Sequence, residues 1–283
     1  MSIPARPFVS YHLWSLVAPK QGQEQWHCQM RRGFIKAKQR EPEVKALLTK
    51  ATPPQRIGIL AQKGVYEFHH HLHWLTQSDG VEKVAHLLKL GNFTFQVKQR
   101  VVKILQKYQK YPLLLGKRIV QLTPGDEGFP KPIWIEKLNY HFRLYAAMDC
   151  VFLDADNNLH ILDFKTGKSA FDQRQALVYL LAANYLYPGK KAVASFYNLE
   201  IGQKSELITL NHHELASLES ELANVANKHQ LDLQKYANKN SSFSQIFPAN
   251  PGNHCRFCPF SSICEFSAFK HNKSYSAPII RNS

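Results

Sequence analysis

Three residues offer the most direct chemistry in this chain: Asp149, Asp163 and Lys165. They lie in LYAAMDCVFLDADNNLHILDFKTGK, residues 144–168, which reads as a strand, a tight turn and a second strand. The first arm, LYAAMDCVFLD, is apolar and aromatic apart from Asp149, and the Asp and Asn of DADNN tolerate tight and left-handed backbone. The second arm, LHILDFKTG, alternates like a half-buried strand and ends at Gly167. Pairing across the turn brings Asp149 and Asp163 to one end and one face. Two carboxylates there repel each other unless a cation neutralises them, and oxygen ligands suit a hard divalent ion, Mg2+ or Mn2+. Lys165 lies two residues beyond Asp163, so strand alternation puts its ammonium on the same face. There it can orient a water or stabilise charge developing on a phosphate. Acid, acid and lysine are the minimal equipment for metal-assisted phosphodiester hydrolysis, although Asp-x-Lys on a strand is also a common solvated-edge pattern.

Other residues bear on this hairpin. Gln175 and Tyr179, spaced i and i+4, share one face of the following helix, where they could contact a DNA backbone or base. Glu136 on IWIEKL is either a further carboxylate of the site or a surface acid paired with a lysine. His69, His70, His71 and His73 form a dense cluster, and a neutral imidazole is a sensible companion to two carboxylates. The five cysteines are an odd number in a chain that lacks a signal-peptide layout, which favours thiol ligands over a disulfide framework. Cys255-x2-Cys258-x5-Cys264 supplies three thiolates within reach of one metal centre. Cys28 is the expected fourth, because Cys150 directly follows Asp149 and should face the buried side of its strand. A thiolate tetrad of this kind binds zinc or an iron-sulfur cluster.

The elements that must position these groups fall into an order. Residues 10–50 read as helical with breaks at Pro19, Gly22 and Pro42, and a second helical stretch runs from about Pro54 to Leu75. Asp79 suggests an N-cap for VEKVAHLLKL, and FTFQVKQRVVKILQKYQKY is basic and amphipathic. RIVQL, IWIEKLNY, FRLYAAMDCVFLD and LHILDFKTG then favour strands. A helix from about Asp172 to Tyr187, a hairpin of AVASFYNLEI with SELITL, and a long helix capped by Asn211 follow. This order describes an α/β core rather than a helical bundle. The expected division is a helical region over 1–116, a core over 117–239, a cysteine region over 240–270 and an unstructured tail over 271–283. The formal charge of +15, from 36 Lys plus Arg against 21 Asp plus Glu, favours a polyanionic partner, nucleic acid first and an anionic membrane surface second, though basic residues also serve solubility alone. No apolar run approaches a membrane span, so the expectation is a soluble protein that stays in the cytoplasm.

Taken together, these features resemble the PD-(D/E)XK nuclease superfamily, in particular the RecB-type branch with AddB nuclease domains and the CRISPR-adaptation nucleases. That branch carries a helical His, an Asp on one strand, an acidic-x-Lys on the next and a Gln-x-x-x-Tyr helix, in this order. Here the matching features are His69, Asp149, Asp163-Phe164-Lys165 and Gln175 through Tyr179, over about residues 10–269. The spacing leaves His70 and His71 as alternatives to His69, and Ala146-Ala147-Met148 stands where a glycine is frequent in the family. The resemblance implies a restriction-endonuclease-like core, a central mixed sheet flanked by helices, with a helical N-terminal region and a C-terminal iron-sulfur region. It implies a metal-dependent DNA nuclease, an exonuclease on single strands or DNA ends, working in repair, recombination or CRISPR adaptation. Asp149, Asp163 and His69 would hold Mg2+ or Mn2+, Lys165 would activate water, and Gln175 and Tyr179 would place substrate. Cys28, Cys255, Cys258 and Cys264 would hold a structural 4Fe-4S cluster. The basic runs QVKQRVVKILQKYQK and RRGFIKAKQR would follow the phosphate backbone. With no Walker-type phosphate loop in the chain, the expected partners besides DNA are a separate helicase or CRISPR-adaptation proteins. The competing reading is a non-catalytic nucleic-acid-binding scaffold with a thiolate metal centre.

Overall fold

The structure is a computed structural model that describes residues 6–49, 51–125, 128, 130–137, 139–167, 171–239 and 241–269. The expected tail, 271–283, lies outside the described residues. In chain order the elements are β1 (Phe8–Ser10), α1 (Tyr11–Val17), α2 (Gln29–Lys36), α3 (Pro42–Leu48), α4 (Pro53–His70), α5 (Gly80–Leu87) and α6 (Phe95–Lys110). There follow β2 (Arg118–Leu122), β3 (Ile133–Lys137), β4 (Tyr140–Tyr145), β5 (Cys150–Leu153), β6 (Leu159–Lys165), α7 (Gln173–Leu186), β7 (Ala192–Asn198), β8 (Gln203–Lys204), α8 (His212–Ala237) and α9 (Phe243–Ile246). The chain divides into two compact units, one within Met1–Pro7, His12–Lys50 and Asn224–Ser283, the other Phe8–Tyr11 and Ala51–Ala223. No helix among the described residues is long and apolar enough to cross a membrane.

Both sheets belong to the second unit. A five-stranded sheet has the order β2-β5-β6-β7-β8, and a three-stranded sheet the order β1-β4-β3. In the larger sheet β6 and β7 are parallel, joined by α7, while the other neighbours are antiparallel. β6 is buried along nearly its whole length, as a strand covered on both faces must be. Leu162 and Phe164 join one apolar core with α4, α5 and α6. Leu159 and Ile161 join another with Ala176, Tyr179, Leu180 and Ala183 of α7. Mixed sheets flanked by helices fit a restriction-endonuclease-like fold.

Local chemistry explains these elements. Thr52 and Gln55 form a capping box at the start of α4, with Pro53 in its first turn. In α6 the residues Val97, Val101, Ile104, Leu105 and Tyr108 are buried at helical spacing, leaving the lysines outward. Asp172 caps α7 through the Arg174 N–H, and Asn211 with Glu214 caps α8 reciprocally. The β5–β6 turn is held by Asp154, whose Oδ1 accepts from the N–H groups of Asp156 and Asn158, with Asn157 at φ +62°.

Three expectations change. FRLYAAMDCVFLD is not one strand: β4 pairs with β1 and β3, and β5 starts afresh in the other sheet. Ala146 and Met148, apolar enough to read as strand, instead pack on the α7 side. Asp79 stands at the N-cap position of α5 without a capping bond, its carboxylate going to Lys83 Nζ at 3.0 Å. The hairpin after β7 is short in regular strand: β8 covers only Gln203 and Lys204, and SELITL follows β7 through the Ser205 N–H to the Phe196 carbonyl and a bridge of Ala194 with Ile208.

α4 and α6 approach closely at Gly64, where an added Cβ would lie 2.3 Å from Leu105 Cδ2. Alanine is the better helix former by about 1 kcal/mol, but overpacking a buried contact costs about 1–3 kcal/mol. Gly64→Ala is therefore expected to lower stability in denaturant unfolding, whereas Gly58→Ala, whose Cβ meets only Thr166 Oγ1 at 3.4 Å, is tolerated. Equal or greater stability of Gly64→Ala would show that Leu105 gives way.

Candidate active site

The β5–β6 register pairs Leu153 with Leu159 and continues to Cys150 with Leu162, so the next step sets Asp149 opposite Asp163. Asp163 is 2% exposed and Asp149 is half-buried. Alternation places Asp163 with Leu159 and Ile161 on the α7 side, and α7 answers it. Asp163 Oδ1 accepts from Tyr179 Oη at 2.9 Å and from Gln175 Nε2 at 2.8 Å, and Gln175 Nε2 also donates to Tyr179 Oη at 2.6 Å. Asp163 Oδ2 is paired with Lys165 Nζ at 2.6 Å, while Lys165 Nζ donates to Gln175 Oε1 at 2.8 Å. Asp163, Lys165, Gln175 and Tyr179 thus form one closed hydrogen-bonded group. Tyr179 is buried, so it holds the acid and does not present itself to DNA as its sequence position had suggested.

Asp149 has different partners. Its Oδ2 accepts the Phe164 N–H at 2.8 Å, and its Oδ1 accepts Gln62 Nε2 at 3.0 Å. Gln62 lies on α4 and reaches Thr123 Oγ1 and its carbonyl as well. The sequence reading passed over Gln62. Its only signal is the seven-residue spacing to His69, two helical turns along one face. Tyr11 was missed too: its hydroxyl donates to Asp172, and burial with that carboxylate pushes its pKa up to about 12.

Burial pushes the Asp149 pKa upward and the Asp163 charge adds to it, while the Phe164 N–H, Lys165 and Gln62 pull it back. Asp163 is also raised by burial, against the opposing pull of Lys165 and the Tyr179 hydroxyl. No well-directed hydrogen bond reaches Asp163 Oδ2. Two facing carboxylates that resist ionising together, one of whose oxygens meets only the Lys165 ammonium, suit a hard divalent cation. Such ions keep several waters, so two carboxylates suffice as protein ligands.

The histidines lie at the end of α4 and just beyond it. His69 shares a hydrogen bond of 2.6 Å with Tyr108 Oη, and burial lowers its pKa to about 4, keeping the ring neutral. His70 stacks on Tyr66 with centroids 5.9 Å apart, and His71 on Trp74 at 4.1 Å. The helical side chain that touches Asp149 is Gln62. Glu136 is exposed on β3 of the smaller sheet, opposite His141, and is not beside the acids. Cys150 packs in the core with α4 and α6, where burial raises its thiol pKa to about 12.

The other four cysteines gather in the first unit. Cys28 stands at the N-cap of α2 and accepts the Asn250 N–H at 3.5 Å; Asn250 Nδ2 also donates to the carbonyls of Gln25 and His27. Cys28, Cys258 and Cys264 pack around Met30, Phe34 and Phe260. Burial raises the thiols of Cys258 and Cys264, and both sense Cys28 and Cys255. Among the described residues no group of three or more His, Cys, Asp or Glu is arranged to hold a metal ion.

Part of the expected phosphate track is committed internally. Arg32 of RRGFIKAKQR is 1% exposed; it donates to Asp232 at 2.7 Å and meets His229 Nδ1 at 3.1 Å. Arg100 of the α6 run is paired with Glu200.

The family model for the PD-(D/E)XK nuclease superfamily matches residues 35–265. No curated protein matches the chain. A solved structure titled "Crystal structure of SSO0001" is 11% identical, covering 84% of this chain and 95% of its own, with a TM-score of 0.31.

The raised Asp149 pKa has a testable sign. The folded site prefers the neutral acid, so this contribution to stability is full below the ordinary carboxyl value of 3.8 and is lost as pH rises through the raised folded value. Chelator-treated protein should melt at lower temperature as pH rises, Asp149→Asn should melt higher than wild type at pH 8, and Mg2+ should narrow that gap. A lower melting point for Asp149→Asn in chelator at pH 8 would refute the strain assigned to the pair.

Proposed function

Because the chain belongs to the PD-(D/E)XK nuclease superfamily, we propose that it is a metal-dependent deoxyribonuclease whose chemistry centres on Asp149, Asp163 and Lys165. The observation that carries this reading is the Lys165–Asp163 pair at 2.6 Å, closed by Gln175 and Tyr179 beside the facing Asp149. Asp149 and Asp163 hold the divalent ion, Mg2+ or Mn2+. When bound, that ion offsets the repulsion of the acids, lowers the pKa of a bound water and polarises a phosphoryl oxygen. Lys165, with its side chain 28% exposed, orients the attacking water and faces the charge that grows on the phosphate. Gln175 sets the direction of the Lys165 ammonium, Tyr179 fixes the Asp163 carboxylate, and Gln62 with the Phe164 N–H fixes Asp149. His69 is kept neutral, the form that ligates metals, and would supply the nitrogen ligand of the site.

We assign the substrate as single-stranded DNA or DNA ends, degraded exonucleolytically in repair, recombination or CRISPR adaptation beside a separate motor protein. The net charge of +15 supports a polyanionic substrate. Cys28, Cys255, Cys258 and Cys264 hold a structural 4Fe-4S cluster, as in the RecB-type iron-sulfur branch. Four thiols in one unit, with an N–H donated to Cys28 Sγ, support that assignment.

Labelled single-stranded and duplex DNA with Mg2+ or Mn2+ tests the active site. Lys165→Ala and Asp163→Ala should lose cleavage by about a hundredfold or more while still binding DNA. Undiminished cleavage in either variant would sink the assignment, and metal-independent binding without any cleavage by wild type would favour the scaffold reading. For the thiolates, anaerobically purified protein should be brown with iron and sulfide in it, and Cys258→Ser should lose the colour; colourless protein containing zinc would overturn the cluster.

A further inference from the structure

The strand bearing Asp163 and Lys165 leaves the sheet through Thr166 and Gly167, and Gly167 takes φ +88°, a left-handed turn natural to glycine. Three contacts anchor this exit. The Lys165 carbonyl accepts the Leu199 N–H at 2.8 Å, and the Gly167 carbonyl accepts Asn198 Nδ2 at 2.7 Å. The Gly167 N–H donates to Glu200 Oε2. Asn198 is the register partner of Lys165 on β7, and its Oδ1 accepts the Glu200 N–H at 3.0 Å.

Glu200 is itself held from α6. Arg100 donates to both carboxylate oxygens, through Nε to Oε1 and through Nη2 to Oε2 at 2.7 Å. One helical spacing of seven residues later, Lys107 Nζ donates to the Glu200 carbonyl at 3.1 Å. An added Cβ at Gly202 would lie 2.9 Å from Lys107 Cε, so the turn after β7 rests on the Lys107 stem. A bidentate guanidinium–carboxylate pair is geometrically specific as well as strong. The path from α6 to the active lysine therefore runs Arg100, Glu200, Gly167 and two residues back to Lys165.

We propose that Glu200 is a positioning residue for Lys165: pinned by Arg100, it fixes the end of β6 and with it the height of the lysine against Asp163. This rests on the nuclease reading of the site. A displacement of about 1 Å at a reacting group costs about a hundredfold in rate, so a carboxylate that never touches substrate can still govern turnover.

Steady-state cleavage of a labelled oligonucleotide by wild type, Glu200→Ala, Glu200→Gln and Arg100→Gln, well below their melting temperatures, tests it. Glu200→Ala should lose about tenfold or more in kcat with KM little changed. Glu200→Gln keeps an acceptor for the Gly167 N–H and should recover part of that loss, while Arg100→Gln combined with Glu200→Ala should add little to it. Amide hydrogen exchange over residues 165–167 should quicken in Glu200→Ala and less in Glu200→Gln. Wild-type kcat in Glu200→Ala, or a kcat loss without faster exchange at that exit, would overturn the proposal and leave the nuclease reading standing. A wild-type protein that cleaves nothing would overturn both.

Discussion

Two carboxylates placed face to face across a strand pair, one buried and one half-buried, set the terms for everything around them. The β5–β6 register leaves Asp149 and Asp163 no freedom to part, because a slip of one residue would turn β6 inside out on a strand buried on both faces. Loss of water raises both pKa values, the Asp163 charge adds to the rise at Asp149, and the neighbouring donors resist it. The two acids divide those donors by element. α7 and Lys165 serve Asp163, while α4 and the Phe164 backbone serve Asp149. Each acid is thus locked to a different layer of the fold.

Because the sheet is covered on both faces, its strand ends are the places where chemistry can meet solvent. β5 begins just after Asp149 and β6 ends at Lys165, at the same end of the pair. The helical layer of α4 to α6 is more than packing there. Gln62 of α4 reaches Asp149, and Arg100 of α6 grips the turn after β7. The same helix, α6, buries an apolar stripe and offers a basic face, so its position bears on both the core and the strand exit.

The first unit rests on a different kind of polar centre. Arg32 is fully enclosed, yet it bonds Asp232, His229 and Gln29 and lies over the Phe247 ring at 4.9 Å. Burying a guanidinium is costly unless its donors are satisfied, and here three side chains accept from it while the Phe247 ring covers its face. Burial and the adjacent guanidinium lower the His229 pKa to about 3, so it meets Arg32 as a neutral acceptor. Around this centre the segments bearing Cys28 and Cys255, Cys258 and Cys264 are brought together, with Asn250 and Pro248 bonded to the residues flanking Cys28.

The chain alone was enough for the β5–β6 hairpin, the side on which Asp163 and Lys165 lie, the pairing of Gln175 with Tyr179 on one helical face and the inward turn of Cys150. Each of these follows from a period of 2 or 3.6 acting over fewer than a dozen residues. Local periodicity cannot say which strand joins which sheet, so FRLYAAMDCVFLD was legible as strand but not as two strands of different sheets. Nor can residue type say where a side chain's partner is. Arg32 and Arg100 looked like phosphate contacts until folding brought them carboxylates 200 and 100 residues away. Glu200 carries no local mark and Gln62 only its helical spacing to His69, because their roles exist through Gly167 and Asp149, to which tertiary packing alone delivers them. The sequence thus determined which groups could do chemistry, and the tertiary structure decided which of them are held, and by what, since hydrogen bonds and charge pairs act over a few ångströms of space whatever the distance along the chain.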